Sequence, residues 1–322
     1  MKNLYVGLMS GTSRDSLDGC LVSFENGLNV LACETLDFTD GYQTSQDQAY
    51  IDKEITNKSI ELIHMLIETR RENVAAIAFP GQTISHNDKF SLQAGSPETI
   101  AKETRIPVYS DFRNFDIAKG GKGAPLIPLF HKYLLSEKGT EKLVVNIGGI
   151  CNGTYLKDEE IIHASDIGPG NCLLDATMRN FNLGKFDSDG LMASKGNVDG
   201  VLLEKFLKQF DFLSYPRADD LSIYLKLMET YKKSLAEKNP EDILCTFVEL
   251  TVKKIEEYFN FCGAPAKVIF HGGGSENKYL MRRIKETINT EISTINSLIS
   301  SKYVESAAFA YLAFKERAVL FR

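Results

Sequence analysis

A chain of 322 residues is long for one hydrophobic core, so two lobes are expected. Its 43% hydrophobic and 25% charged residues are those of a globular protein, and a net charge of −6 argues against nucleic acid as a partner, whose binders carry a basic footprint. No stretch approaches the roughly 18 apolar residues of a membrane span, so no membrane partner is expected, and MKNLYVGLM at the N-terminus lacks the apolar run and cleavage site of a signal peptide. Six cysteines, at 20, 33, 151, 172, 245 and 262, form no CxxC and are too sparse for a disulfide scaffold. They read as small core residues of a cytoplasmic protein.

In chain order, residues 5–9, 20–24 and 28–33 are predicted as short strands, the last two joined by the turn signal Glu25-Asn26-Gly27. A helix is predicted over 59–72, with Ile60, Ile63, Leu66 and Ile67 on one face. AAIAFPG (75–81) reads as a buried strand ending in a loop; a strand at 106–109 and a long Gly-rich loop at 111–128 follow. The second half restarts the same way: 142–164 gives strand, Gly-rich hairpin, strand, turn and strand, repeating the opening about 140 residues later. Helical patterns then dominate from 170, including 202–210 and 241–261. Residues 266–284 give a strand, a triple-Gly loop and a helix start, and an Ala-rich helix at 305–315 closes the chain.

Strands in threes, each set opening on a phosphate-sized hairpin and followed by helices, predict an α/β protein. The plan resembles the actin/hexokinase/Hsp70 ATPases: a duplicated actin/hexokinase-like fold, two lobes with a nucleotide cleft between them. The expected lobes are 1–140 and 141–322, with the last helix packing back on the first.

In GTSRDSLD (11–18), Gly11 permits close backbone approach to a phosphate, and Thr12 and Ser13 offer hydroxyl and N–H donors. Arg14 adds a cation, Ser16 and Leu17 complete the hairpin, and Asp15 or Asp18 can hold Mg2+ directly or through water. A polar surface hairpin without a ligand is the alternative. NIGGICNGT (146–154), with Asn146, Gly148 and Gly149, is its counterpart, and two such hairpins make a clamp. In SDIGPGNCLLDATM (165–178), Asp166 ends a strand before Gly168-Pro169-Gly170, and Asn171 is placed to cap a helix over 172–178. That helix start offers unpaired N–H groups to an anion. Asp166 is therefore a candidate general base, with a merely capping carboxylate as the alternative.

In FHGGGSENKYLM (270–281), Gly272, Gly273 and Gly274 leave no side chain between backbone and a flat adenine. FPGQTISHN (79–87) brings Gln82, Thr83 and His86 to a strand end as a sugar-binding edge, His86 being as readily an ordinary surface residue. Asp111, Arg113 and Asp116 follow a strand and either contact substrate or form a surface ion-pair network.

Together these segments closely resemble the anhydro-N-acetylmuramic acid kinase family, sugar kinases of peptidoglycan recycling. The family opens with GLMSGTS-x-D-G-x-D, and residues 7–18 read GLMSGTSRDSLD. Its later blocks, GQT-x-x-H, DFR-x-x-D-x-A-x-GG-x-GAPL-x-P, NIGG, D-x-GPGN-x-LLDA, F-D-x-DG-x-x-A, GGG-x-x-N-x-x-LM and E-x-x-AFA, have counterparts at 81–86, 111–128, 146–149, 166–176, 186–193, 272–281 and 305–310.

The resemblance implies an ATP- and Mg2+-dependent kinase that opens the 1,6-anhydro ring of its sugar with water while transferring the γ-phosphate to O6. The family's base falls on Asp166. The resemblance also places Asn277 with the nucleotide and Gly168, Gly170, Asn171 and Glu305 with the sugar, and it implies a homodimer. Departures stand at Ser16 for Gly, Pro80 for His, Ser85 for Arg, and Asn114 and Phe115 for cations. PRADDLS (216–222) stands in place of P-K-S-T-G-R-E. Two alternatives stay open: a kinase for a different sugar on the same scaffold, and a regulator that binds nucleotide or sugar without turnover.

Overall fold

The computed structural model describes every residue except 1, 12, 13, 69, 88 and 211–213. By packing, the chain divides into two units, Met1–Leu134 with Leu298–Arg322, and Leu135–Ser297.

The first unit is built on β1 (Leu4–Ser10), β2 (Ser16–Ser23), β3 (Asn29–Asp37), β4 (Val74–Ala78), β7 (Val108–Ser110) and the final strand β13 (Val319–Phe321). They form one sheet in the order β13-β7-β4-β1-β2-β3, while β5 (Gln82–Asn87) and β6 (Phe90–Ala94) pair as a separate ribbon. β1–β2–β3 is an antiparallel meander, and β4 and β7 add to it in parallel. Alternation along β1 sends Leu4, Val6 and Leu8 to one face, where they join Leu62, Ile63 and Leu66 of helix Gln48–Ile67. Tyr5 and Met9 meet Phe309, Leu312 and Ala313 of helix Val304–Phe314 instead. A glycine serves each face. A Cβ on Gly19 would lie 2.8 Å from Leu66 Cδ1, and one on Gly7 would lie 1.9 Å from the Ser306 carbonyl oxygen.

Helix Gln48–Ile67 starts eleven residues before the predicted 59 and stops short of 72. Asp47 provides the start, accepting from the Ala49 and Tyr50 N–H groups, and the early apolar pair Ile51 and Ile55 is diluted by polar neighbours.

The second unit repeats the plan. β8 (Glu141–Ile147), β9 (Ile150–Lys157), β10 (Glu160–Pro169), β11 (Lys267–His271) and β12 (Glu291–Thr294) run in the order β10-β9-β8-β11-β12. Again there is an antiparallel meander, with two parallel strands beyond its first strand. Correspondence of β3-β2-β1-β4-β7 with this order makes the fold a duplicated α/β fold. Helix Pro240–Phe261 covers the second sheet, with fourteen buried residues. It starts on Asn239, whose side chain accepts from the Glu241 N–H, and on Pro240, whose missing N–H costs nothing in the first turn.

Candidate functional site

In the first unit, residues 11–15 join β1 to β2; Thr12 and Ser13 lie outside the described residues. The Gly11 carbonyl accepts from the Arg14 N–H at 3.1 Å. Arg14 adopts φ 55° and donates from its guanidinium to the Ser45 carbonyl at 3.0 Å. Asp15 Oδ1 accepts from the Ser16 N–H at 3.0 Å. β2 begins at Ser16, before the predicted residue 20, because Leu17 already joins the core at 1% exposure. Only the backbone of Leu17 remains for a ligand.

Asp18 points to the other face of β2. Its Oδ1 accepts from Thr35 Oγ1 at 2.6 Å and lies 3.5 Å from Lys302 Nζ. Burial pushes its pKa up, against those two partners. Glu305, in the first turn of helix Val304–Phe314, is also pushed up by burial and held back by the Arg113 charge. Burial lowers Arg113 in turn, Glu305 opposing, and Arg113 Nη1 donates to the Gly123 carbonyl at 3.0 Å. Asp18, Arg113, Lys302 and Glu305, spread over most of the sequence, thus form one charge cluster within this unit.

Asp111, Asn114, Asp116 and Gln82 make hydrogen bonds that shape loops of this unit. Asp111 Oδ1 accepts from Asn114 Nδ2 at 2.7 Å, Asn114 brackets the Ser91 backbone, and Asp116 Oδ2 accepts from the Gly123 N–H at 2.8 Å. This is a loop scaffold and not a surface ion-pair network. Gln82 is fully buried: Oε1 accepts from Ser10 Oγ at 2.8 Å, and Nε2 donates to the Gly11 carbonyl at 3.2 Å. Its side chain pins the end of β1, while Thr83 beside it on β5 is half-buried.

In the second unit, β8 and β9 turn through Gly148 and Gly149 alone. Pairing aligns His271, Asn146, Asn152 and Asp166 across β11, β8, β9 and β10. Burial lowers His271 to about 3, so it sits in this row as a neutral ring. The Gly148 and Gly149 carbonyls accept from the Asn171 and Cys172 N–H groups at 2.8 and 3.1 Å. Of the N–H groups expected to be unpaired at the start of helix Cys172–Asn180, these two are taken by protein. Asn171 occupies the cap position without a capping bond, its Nδ2 lying 3.4 Å from the Ile147 carbonyl.

The glycines here are largely structural. A Cβ on Gly170 would lie 2.3 Å from the Gly148 oxygen, one on Gly272 2.2 Å from Asn146 Oδ1, and one on Gly274 2.2 Å from Ile147 Cγ2. Gly272 also needs φ 84°, a left-handed conformation that L side chains avoid. Of the three successive glycines, only Gly273 presents an open face, its nearest neighbour being Asn171 Nδ2 at 4.0 Å. Asn277 caps helix Lys278–Thr287, accepting from the Leu280 N–H at 3.0 Å. Gly168 packs its Cα against Lys254.

Asp166 lies on β10, the edge strand, at a bulge between Asp166 and Gly168. Bulges at sheet edges re-aim side chains. Residues 215–219 run along this edge. The Asp166 N–H donates to the Arg217 carbonyl at 2.9 Å, and the Asp219 N–H donates to Asp166 Oδ2 at 2.7 Å. Desolvation, with help from the Asp219 charge, raises Asp166 to about 6 against the hydrogen bond from Asp219 and the charge of Arg217. A carboxylate with that pKa is ionised at neutral pH and basic enough to accept a proton. Arg217 and Asp219 were not singled out from the sequence, where they fall in the segment that departs from the family pattern. Their only signal was an Arg and an Asp two residues apart in a loop.

The anhydro-N-acetylmuramic acid kinase family model matches residues 3–320. Relatives of that name are 34% identical in Gamma-proteobacterium EBAC31A08, over 98% of this chain and 92% of the relative. In Shewanella denitrificans the identity is 34% over 97% and 91%, and in Pseudomonas savastanoi pv. phaseolicola it is 33% over 97% and 92%. Among solved structures, component A of the Acidaminococcus fermentans (R)-2-hydroxyglutaryl-CoA dehydratase has a TM-score of 0.56 at 11% identity, over 98% of this chain and 99% of that one. The activator of the 2-hydroxyisocaproyl-CoA dehydratase from Clostridium difficile, with bound ADPNP, has 0.54 at 13%, over 98% and 95%. Those two likenesses concern the fold alone, the actin/hexokinase-like ATPase fold. By the family match over nearly its whole length, the chain belongs to the anhydro-N-acetylmuramic acid kinases, a family of sugar kinases.

Proposed function

We propose that the chain phosphorylates O6 of 1,6-anhydro-N-acetylmuramic acid from ATP while water opens the anhydro bridge, giving N-acetylmuramate 6-phosphate. Asp166 is the base. It takes a proton from the water whose oxygen bonds to C1; the C1–O6 bond breaks, and O6 bonds to the γ-phosphorus as ADP leaves. The observation that carries this reading is the Asp166 carboxylate. One oxygen is held by the Asp219 N–H, no hydrogen bond from the described residues holds the other, and its pKa is raised to about 6. A positioned base of this kind is worth about 10²–10⁴-fold.

Phosphate binding is assigned to the backbone of 11–18, including Thr12 and Ser13, and to Asn146, Gly148 and Gly149. Adenosine is assigned to the open face of Gly273 with Gly272, Gly274 and Asn277 around it. Sugar binding is assigned to Thr83, Asp111, Arg113, Gly168, Gly170, Asn171 and Glu305, with Gln82 supporting them by holding Gly11. Among the described residues no group of three or more His, Cys, Asp or Glu is placed to hold a metal ion. A Mg2+ delivered on ATP keeps waters and phosphate oxygens and takes one or two carboxylates from a protein. Asp18, with Oδ1 already engaged by Thr35 and Lys302, suits holding it through water beside Asp15. When bound, Mg2+ neutralises charge on the transferring phosphoryl group. All six cysteines are free, which suits the cytoplasm; the place in peptidoglycan recycling follows from the proposed substrate and product.

The test is ADP release from Mg·ATP by the purified protein, with and without the anhydro sugar. Sugar-dependent release that falls below about pH 6, as Asp166 protonates, is the expected result. Release that ignores this sugar but responds to another would favour a different substrate, a reading that the divergent loop at 216–222 supports.

A further inference from the structure

The segment that departs most from the family pattern is also the one that touches Asp166. Arg217 Nε lies 3.0 Å from both carboxylate oxygens of Asp219, and the two side chains are only 8% and 3% exposed. Most of the pair's other polar atoms are satisfied, Arg217 Nη1 alone being buried without a hydrogen-bond partner among the described residues. Tyr224 donates its hydroxyl to Asp219 Oδ2 at 2.5 Å, and Arg217 donates to the Ile167 carbonyl at the bulge and lies over the Tyr215 ring, 4.7 Å from its centroid. Its backbone N–H donates to Ser165 Oγ at 2.9 Å. The anchors of Arg217 and Asp219 thus land on Ser165, Asp166 or Ile167, on each other, or on Tyr215 and Tyr224. The Asp219 N–H reaches Asp166 Oδ2 at 2.7 Å from within this anchored loop.

We infer that Arg217 and Asp219 are positioning residues for Asp166: their buried ion pair fixes the N–H donor on Oδ2 and thereby reserves Oδ1 as the proton-accepting oxygen. This rests on the reading of Asp166 as the base. The pair also sets the charge at the base with opposing signs. Asp219 is a like charge that favours the protonated form of Asp166, and Arg217 is an opposite charge that favours the ionised form. The other titratable groups near Asp166 are Cys151 on β9 and Tyr258 on helix Pro240–Phe261, both pushed above their ordinary values by burial and so uncharged near neutral pH. On the same helix Lys254, which packs against Gly168, is paired with Glu257.

The experiment compares the acid limb of the kcat/KM profile in wild type, Asp219→Asn, Arg217→Met and Arg217→Met/Asp219→Asn. The Asp219 backbone N–H is present in all four. Asp219→Asn removes the like charge and is expected to move the limb to lower pH. Arg217→Met leaves Asp219 unbalanced and is expected to move it to higher pH, and the double variant is expected to return toward wild type. A merely structural disturbance would lower the rate without moving the limb in opposite directions. Carbon-detected NMR titration of the aspartate carboxyls, assigned with Asp166→Asn, reads the same shifts without substrate. It also covers Arg217→Met should that variant fold poorly, because Asp219→Asn alone must show the downward shift. Unmoved limbs and carboxyl titrations, with activity still abolished by Asp166→Asn, would overturn the positioning role. Full activity in Asp166→Asn would instead overturn the base itself.

Discussion

Replacing Asp166 with Asn is expected to cut kcat by about 10²–10⁴-fold or more while making the protein more stable at neutral pH. The rate loss follows from the proposed role, since Asn accepts the Asp219 N–H as Asp does but takes no proton from water. The stability gain follows from the direction of the pKa shift. Asp166 is raised in the folded protein to about 6 from 3.8. The folded state therefore binds the proton more tightly than the unfolded chain. The associated stability is fully present below about pH 4 and is lost as pH rises through about 6. Above that window the ionised carboxylate is a liability. Roughly two pKa units at ~1.4 kcal/mol each set an upper bound of ~3 kcal/mol, and the half-buried position of Asp166 will keep the gain below it. Denaturant titrations at about pH 7.5 and pH 4.5 check this: the variant should exceed wild type at the first and the gap should close at the second. A variant less stable than wild type at both would contradict the assigned shift.

Gly7→Ala is expected to cost ~3 kcal/mol or more, at the upper end for overpacking a core. The added methyl would sit 1.9 Å from the Ser306 carbonyl oxygen and 2.9 Å from Ala310 Cβ. Neither neighbour can swing aside as a flexible side chain could, so helix Val304–Phe314 must lift away from β1. Glu305, next to Ser306, would move with it and leave the Arg113 cluster, so activity should fall along with stability. Gly200→Ala is the control: nothing lies within 4 Å of its added methyl, and its effect should stay within ~0.5 kcal/mol. Thermal unfolding of the two variants separates these outcomes.

Gly7 illustrates what was legible in the sequence and what was not. The threefold strand sets and their repetition were plain, because short apolar runs at β1 and β8 and Gly-rich turns are local signals. From the sequence, Gly11, Gly148 and Gly149 read as space for phosphate and 272–274 as space for adenine, Gly170 falls with the sugar by resemblance, and Gly7 carries no role of its own. In the fold, Gly7 admits a helix, Gly170 admits the Gly148 carbonyl, and Gly272 and Gly274 admit Asn146 and Ile147 at the end of β8. A glycine announces close approach but not what approaches. From the sequence, Gln82 reads as part of a sugar-binding edge because it follows a strand beside Thr83 and His86. Its burial depends on Ser10 and Gly11, some seventy residues away, which no local pattern reveals. Asp166 was legible as a candidate base, but its raised pKa was not, since that comes from the edge loop carrying Arg217 and Asp219 about fifty residues on.

The most direct measurement is a single turnover of Mg·ATP and 1,6-anhydro-N-acetylmuramic acid in ¹⁸O-water. With Asp166 activating the water that bonds to C1, the label is expected on C1 of the sugar product and not in the phosphoryl group. Label recovered in phosphate, with the sugar unlabelled, would mean that water attacks phosphorus and would contradict the coupled ring opening.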